Sequence, residues 1–168
     1  MITSELVSRF YRAPEIILGY PYDTKIDIWS LGCSLYELYT GKILFSGRNN
    51  NEMLKLIMQT RGKIPSKLIK RGQYSNSYFN ERGDFLSLEL DSYTKEEYVK
   101  ELNVNNYPNK DLGNILKNEA GKEDPKILIN FKDFLEKCLH LDPGKRLTAL
   151  DLLTHEFIGI LPIGVFSK

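Results

Sequence analysis

Residues 25–40 decide the fold, and they read KIDIWSLGCSLYELYT. Their apolar side chains recur at helical spacing, which predicts an α-helix. One face carries Ile28, Leu31, Leu35 and Leu38, and a second face carries Trp29, Cys33 and Tyr36. A helix that is apolar on nearly all sides belongs inside a helical domain rather than on its surface. We therefore expect this segment to be the central helix of the molecule.

The ends of this central helix are marked by residues that favour helix termini. Asp23 or Thr24 is expected to cap its first turn, and Gly41 is expected to end it. Gly32 lies in its interior, where a glycine costs roughly 1 kcal/mol relative to alanine. A glycine at this position indicates that another part of the backbone approaches the helix closely.

The rest of the chain is predicted to be helical, with one long polar segment in the middle. Hydrophobic spacing and capping residues predict helices at 50–60, 94–102, 112–118, 127–139 and 149–157. Residues 62–126 are rich in Asn, Ser, Tyr and Lys, and we interpret them as a long irregular insertion around two short helices. No alternating strand pattern is evident, so the expected fold class is mainly α with long loops.

Composition places the chain among ordinary globular proteins. Its 168 residues, 42% of them hydrophobic, are enough for one domain or one large piece of a domain. Subtracting 22 acidic from 23 basic residues gives a charge of +1, which argues against nucleic acid or a membrane surface as the partner. Cys33 and Cys138 make neither a disulfide framework nor a zinc site, and they favour a reducing, intracellular compartment.

The sequence also lacks the signals of membrane targeting. The first residues, MITSELVSRF, contain no apolar run of the kind found in signal peptides. No segment reaches the roughly 18 apolar residues that a membrane-spanning helix requires. We therefore expect a protein that does not enter a membrane.

Three short strings occur in a fixed order along the chain. They are SRFYRAPE at 8–15, DIWSLGC at 27–33 and LDPGKR at 141–146. Together they resemble the C-terminal lobe of a eukaryotic protein kinase, in which A-P-E is a signature motif. The arginine before the aromatic pair, Arg9, and the long insertion resemble the CMGC group of these kinases. Residues 35–45, which read LYELYTGKILF, resemble the pre-mRNA-processing-factor-four kinases, relatives of the dual-specificity tyrosine-regulated kinases.

This resemblance implies the helical C-terminal lobe of the protein kinase fold, without the N-terminal β lobe. The end of the activation segment and the substrate loop would occupy 1–23, and the central and following helices 24–61. A CMGC-type insertion would occupy 62–126, the last two helices of the lobe 127–158, and a tail 159–168.

The chain lacks the motifs that carry phosphoryl transfer in this family. A glycine-rich loop, a strand lysine, a catalytic-loop Asp and Asn, and the D-F-G Asp are all needed, and none is present in the sequence. We therefore expect no catalytic residue, cofactor or metal in this chain alone, whereas the complete enzyme would use ATP and Mg²⁺.

Three interpretations of function remain open at this point. In the first, the chain is the substrate-binding part of a serine/threonine protein kinase. In the second, it is a non-catalytic module that docks proteins, and in the third, it is the product of a truncated gene model. In the first interpretation its partners are the missing N-terminal part of the kinase and a protein substrate. The resemblance suggests splicing factors as substrates and a nuclear location, without direct contact to nucleic acid.

The resemblance assigns supporting roles to several residues. Glu15 would form a buried bidentate ion pair with Arg146, and the alternative is two solvated surface charges. Asp27 would position the catalytic loop, although a carboxylate near a helix N-terminus is favourable by about 0.3–1 kcal/mol in any case. Without that loop, we expect Asp27 to be partly unsatisfied. Trp29 and Gly32 are expected to pack inside the lobe.

The remaining candidate residues lie before the A-P-E string. Ser8 would shape the pocket for the residue that follows the phosphoacceptor, and the alternative is an ordinary loop hydroxyl. In the tyrosine-regulated relatives a phosphotyrosine occupies the position of Glu5, held by arginines that match Arg9 and Arg12. We hypothesise that Glu5 supplies a fixed carboxylate to both arginines. The alternative is an exposed glutamate whose ion pair contributes about 0–1 kcal/mol.

Overall fold

The computed structural model describes residues 3–103, 111–119 and 123–159. Its helices are α1 (Pro14–Leu18), α2 (Lys25–Thr40), α3 (Asn50–Arg61), α4 (Ser66–Arg71), α5 (Leu112–Glu119), α6 (Pro125–Cys138), α7 (Ala149–Leu153) and α8 (Glu156–Gly159). Two strands, β1 (Phe85–Leu90) and β2 (Glu97–Leu102), form an antiparallel hairpin, and short 3-10 turns lie at Arg9–Tyr11 and Ser75–Ser77. The prediction of a mainly helical fold is confirmed.

Helix α2 begins and ends where its sequence predicts. The Asp23 carboxylate accepts a hydrogen bond from the Lys25 N–H at 2.8 Å, which satisfies one free amide of the first turn. Gly41 ends the helix in the left-handed conformation, with φ at 69°. Trp29 is fully buried and stacks on Phe45, with ring centroids 5.7 Å apart.

One face of α2 is exposed to solvent, although the helix is apolar on nearly all sides. Its buried residues are Ile28, Trp29, Gly32, Cys33 and Tyr36. Leu31 is 40% exposed and Leu38 is 81% exposed. The reason is geometric, because α2 packs on α6 and on the turn at Arg9–Tyr11, which lie to one side of it. The described part of the chain therefore presents an apolar strip along α2.

Gly32 is needed for helix packing, although the neighbour is not backbone. A Cβ atom built on Gly32 would lie 2.8 Å from the Cβ atom of Cys138 and 3.0 Å from a methyl carbon of Leu139. The missing side chain therefore lets the C-terminal end of α6 approach α2. The expected close approach is present, but it involves side chains.

The main core forms where α1, α2, α3 and α4 meet. Its fully buried members include Ile16, Ile17, Leu18, Met53, Leu54, Ile57 and Leu68. Helix α3 is capped by Asn49, whose side chain accepts a hydrogen bond from the Glu52 N–H at 2.9 Å. Asparagine is one of the residues that favour the N-cap position.

The predicted helix at 94–102 is wrong, because these residues form a turn and strand β2. The pairing runs from Phe85 opposite Leu102 to Leu90 opposite Glu97. The Asp91 carboxylate accepts hydrogen bonds from two backbone N–H groups at 2.8 Å, and Lys95 has a φ of 60°, which a helix cannot contain.

In β1, polar side chains face inward and apolar side chains face outward along most of the strand. This pattern is opposite to the usual one, so the sequence does not indicate a strand. Its inward positions are Phe85, Ser87 and Glu89, whereas Leu88 and Leu90 are 42% and 46% exposed. A pattern of polar residues facing inward does not predict a half-buried strand. The hairpin was therefore missed.

The C-terminal helices agree with the sequence except at one break. Helix α5 confirms the predicted helix at 112–118 and packs Leu112 and Leu116 into a second cluster with Tyr36, Phe131 and Leu135. The single helix predicted at 149–157 is instead α7 and α8, because the backbone turns at Thr154–His155. The predicted tail from residue 160 onward lies outside the described residues. Among the described helices, none has the length and apolar character of a membrane span.

Replacing Gly32 with alanine should destabilise the fold by about 1–3 kcal/mol, since a methyl group is forced against α6. Urea denaturation followed by circular dichroism measures this change. Gly113→Ala is the matched control, because its new Cβ atom would meet the flexible end of Lys132 at 3.0 Å and, at an ordinary contact distance of 3.4 Å, a carboxylate oxygen of Asp111. We expect that control to be neutral or stabilising by up to about 1 kcal/mol. Equal effects of the two substitutions would contradict the packing role of Gly32.

Candidate functional site

A buried ion pair joins Glu15 in α1 to Arg146, which lies shortly before α7. Glu15 follows Pro14 in the first turn of α1, and Arg146 ends the turn that precedes α7. The Nη1 and Nη2 atoms of Arg146 lie 2.6 Å and 3.0 Å from the two carboxylate oxygens of Glu15. Both side chains are at most 1% exposed. The contact is bidentate, which is the strongest geometry for this pair of groups.

The other donors of Arg146 are also satisfied. Its Nη1 atom donates to the Lys25 carbonyl at 2.9 Å, and its Nε atom donates to the His140 carbonyl at 3.1 Å. The guanidinium lies over the Trp29 ring, 5.1 Å from the ring centroid. The structure therefore brings Glu15, Arg146 and Trp29 together, and with them the three strings found in the sequence.

A second arginine, Arg12, organises the segment before α1. It is 4% exposed, and its Nε and Nη2 atoms donate to the Val7 carbonyl at 3.3 Å and 3.0 Å. Its Nε atom also donates to the Leu6 carbonyl, at 3.2 Å. Val7 has a φ of 68°, a left-handed conformation that is strained for a β-branched residue. Arg12 therefore stabilises an unusual backbone conformation and occupies the Val7 carbonyl.

The structure joins Glu5 to Arg12 but not to Arg9. The Glu5 carboxylate lies 3.3 Å from Nη2 of Arg12, and its side chain is 74% exposed. Arg9 instead donates from Nε to the Gly47 carbonyl at 3.0 Å, and its guanidinium lies over the Phe10 ring. In this conformation the Glu5 carboxylate contacts one of the two arginines that it was expected to bind.

A groove of about 350 Å³ lies beside these residues. It is lined by Glu5, Arg9, Arg12, Asn49, Asn50, Asn51, Tyr78 and Leu88. Burial raises the pKa of Tyr78, and this effect outweighs a hydrogen bond with Asn50 that lowers it. Sequence reasoning missed Asn50, Tyr78 and Leu88 as site residues. Their spacing carries no motif, and they meet only because the hairpin folds back on α3.

Ser8 and Asp27 are both exposed. The Ser8 carbonyl accepts a hydrogen bond from the Tyr11 N–H at 3.0 Å, within the 3-10 turn. The expectation of a partly unsatisfied Asp27 is wrong, because an exposed carboxylate is solvated and carries no such cost. The positions of Ser8 and Asp27 leave both free to contact another element.

Tyr11 is an additional residue that ties the segment before α1 to α2. Its hydroxyl donates to Glu37 at 2.6 Å, and its carbonyl accepts from the Ser30 hydroxyl at 2.9 Å. The hydrogen bond with Glu37, with a smaller contribution from burial, raises the pKa of Tyr11. These contacts fix the turn at Arg9–Tyr11 against the central helix.

The site offers recognition groups rather than reactive ones. Within the described ranges, no cluster of three His, Cys, Asp or Glu side chains could hold a metal ion. The arrangement supplies two guanidinium groups, three amides, one carboxylate, one phenol hydroxyl and one apolar side chain around an open groove. Such groups suit the binding of an extended peptide.

The chain matches known proteins over nearly its whole length. The protein kinase domain family matches residues 1–158. Serine/threonine-protein kinase prp4 of Schizosaccharomyces pombe is 48% identical over 158 residues, which cover 93% of this chain and 33% of that protein. Serine/threonine-protein kinase prpf4B of Dictyostelium discoideum is 46% identical over 160 residues, 94% of this chain and 20% of that protein.

A further match is dual specificity tyrosine-phosphorylation-regulated kinase 4 of Homo sapiens. It is 38% identical over 151 residues, covering 90% of this chain and 26% of that protein. The chain thus spans a third or less of these relatives. The matches confirm the predicted resemblance to pre-mRNA-processing-factor-four kinases and to their tyrosine-regulated relatives.

Replacing Glu15 with glutamine should destabilise the fold by about 3–5 kcal/mol, because the Arg146 charge would stay buried without its counter-charge. Urea denaturation measures the loss. Glu81→Gln is the matched control, since Glu81 is exposed, and it should change the stability little. A loss below about 1 kcal/mol for Glu15→Gln would show that the pair is unimportant for stability.

Proposed function

Because the chain belongs to the protein kinase family, we propose that it forms the substrate-binding C-terminal lobe of a serine/threonine protein kinase. One observation carries this proposal. The segment before α1 is held in a strained conformation by Arg12, and its residues Glu5, Arg9 and Arg12 line an open groove. Ser8 in the same segment is exposed. A shaped surface of this kind suits a peptide substrate.

The proposed reaction is transfer of the γ-phosphoryl group of ATP to a protein hydroxyl. In the complete enzyme, ATP and Mg²⁺ would be held by the glycine-rich loop, the strand lysine, the catalytic-loop Asp and Asn, and the D-F-G Asp of the family. This chain would contribute the end of the activation segment and the substrate loop, at 1–23, and the helices that support them. Asp27, exposed at the start of α2, would position the catalytic loop.

The Val7 carbonyl suggests which residue follows the phosphorylated hydroxyl. Since Arg12 already donates to this oxygen, it is not available to the backbone N–H of a substrate residue lying above it. An N–H left without an acceptor costs about 1–3 kcal/mol. Proline carries no N–H, so it avoids this cost. We propose Ser-Pro and Thr-Pro sequences as the substrates.

The resemblance to pre-mRNA-processing-factor-four kinases also suggests the substrates and the cellular location. Splicing factors would be the protein substrates, and the enzyme would act in the nucleus. The insertion, whose hairpin exposes Tyr98 and Val99, would be available to dock proteins. This exposed hairpin also supports the second candidate function, a docking module without catalysis.

The proposed function is tested on the polypeptide isolated from its source cells with an antibody against the insertion. We expect an intact mass far above 19.4 kDa and phosphoryl transfer from ATP to Ser-Pro peptides. A mass near 19.4 kDa without transfer would overturn the kinase proposal and favour the docking module.

Proline selectivity gives a second measurement on the active polypeptide. A Ser-Pro peptide should have a kcat/KM about tenfold higher than the matched Ser-Ala peptide, which corresponds to about 1.4 kcal/mol and lies within the cost of an unmet N–H. Equal values for the two peptides would show that the Val7 carbonyl does not select proline.

We also propose that Glu5 keeps the substrate loop ordered through Arg12. Glu5→Gln in the full-length polypeptide should lower kcat/KM by up to about fivefold, because an exposed ion pair contributes at most about 1 kcal/mol. Glu81→Gln, which also removes one exposed carboxylate, should leave the activity unchanged. Unchanged activity and unchanged amide exchange at 5–12 in Glu5→Gln would contradict this role.

A further inference from the structure

Three consecutive asparagines begin α3, and each binds a different partner. Asn49 caps the helix by accepting from the Glu52 N–H. Asn50 accepts from Nη1 of Arg12 at 2.8 Å. Asn51 binds the backbone of the hairpin, through both atoms of its side-chain amide. The first turn of α3 therefore lies between the substrate loop and the insertion.

The side chain of Asn51 takes the place of a neighbouring strand at the outer edge of β1. Its Nδ2 atom donates to the Leu86 carbonyl at 2.6 Å, and its Oδ1 atom accepts from the Leu88 N–H at 2.9 Å. Asn51 is 5% exposed, so both bonds are shielded from water. An ion pair between Lys55 and Glu89 adds a second link from α3 to the same strand.

Tyr78 makes a second connection from the hairpin to Asn50. The Leu86 N–H donates to the Tyr78 carbonyl at 2.8 Å, which fixes the backbone of Tyr78 beside β1. The Tyr78 side chain hydrogen-bonds with Asn50 and lies close enough to Glu5 and Arg12 to be affected by their charges. Asn50 is thus contacted by the insertion on one side and by Arg12 on the other.

The contact with Asn50 is one of the contacts that orient the Arg12 guanidinium. Nε and Nη2 donate to backbone carbonyls, Nη2 also pairs with Glu5, and Nη1 donates to Asn50. Without Asn50, the Nη1 group of a nearly buried arginine would lose its partner, and hydrogen bonds to charged groups are the costly ones to lose. The guanidinium would then rotate toward the water of the groove and release the Val7 carbonyl.

We propose that Asn50 is a positioning residue for proline selectivity, and that the insertion hairpin holds it in place through Asn51 and Tyr78. In one state Arg12 occupies the Val7 carbonyl and substrates with proline are favoured. In the other state the carbonyl is free, and a substrate N–H can use it. The hairpin favours the first of these two states by holding Asn50 in place, and it acts on the Val7 carbonyl only through Asn50 and Arg12. This inference rests on the proposed kinase function and on its proline selectivity.

The test compares kcat/KM for matched Ser-Pro and Ser-Ala peptides in the full-length polypeptide. Asn50→Ala should lower the preference for proline by about fivefold or more, because a hydrogen bond to a charged group is lost. Asn50→Asp keeps an oxygen acceptor for Arg12 and should restore the preference. Asn51→Ala should also lower the preference, whereas Asn76→Ala, at an exposed position of the insertion, should not.

The ratio of the kcat/KM values for the Ser-Pro and Ser-Ala peptides distinguishes a positioning role from a simple loss of structure. A poorly folded variant loses activity toward both peptides in proportion, so its ratio stays constant. Tyr78→Phe removes only one hydroxyl and gives a milder second test, with a smaller fall in the ratio. A wild-type enzyme that does not prefer proline would overturn the proposed selectivity and this inference together. A preference that survives in Asn50→Ala and Tyr78→Phe would overturn this inference alone.

Discussion

The buried contact between Glu15 and Arg146 is the interaction on which the rest of the structure depends. It joins residues separated by 131 positions, and Arg146 also binds the Lys25 carbonyl and covers Trp29. One guanidinium thus fixes α1, the start of α2 and the turn before α7 relative to one another. Because both charges are removed from water, each is stable only in the presence of the other. The orientation of the segment that leads directly into α1 follows from this contact.

The same arrangement explains how the lobe accommodates a long insertion. Loop-closure entropy rises slowly with length, so the segment between α3 and α6 adds little cost to closing the contact between Glu15 and Arg146. The insertion is nevertheless ordered near α3, because Asn51 and Lys55 bind its strand β1. As a result, Leu88 of the hairpin lines the groove beside the segment before α1.

The sequence was sufficient for features that depend on local pattern. Helices α2, α3 and α6 follow from apolar spacing, and Asn49 and Gly41 act at the helix ends where a cap or a left-handed residue is required. The hairpin could not be predicted, since β1 points Ser87 and Glu89 inward. The groove could not be predicted either, because it requires Asn50, Tyr78 and Leu88 to meet across the fold. The ion pair between Glu15 and Arg146 was expected only through family resemblance.

Arg146 and Arg12 differ in how far their partners are shielded from solvent. Arg146 has a buried carboxylate as its partner, so its position is insensitive to solvent and to neighbouring molecules. Arg12 is nearly as buried, but its carboxylate partner, Glu5, is largely exposed. Its other side-chain partner, Asn50, begins α3 beside the insertion hairpin. An exposed ion pair is weak and screened by salt. Arg146 therefore acts as a fixed element of the fold, whereas Arg12 is the arginine whose position a change in Glu5, Asn50 or the hairpin can alter.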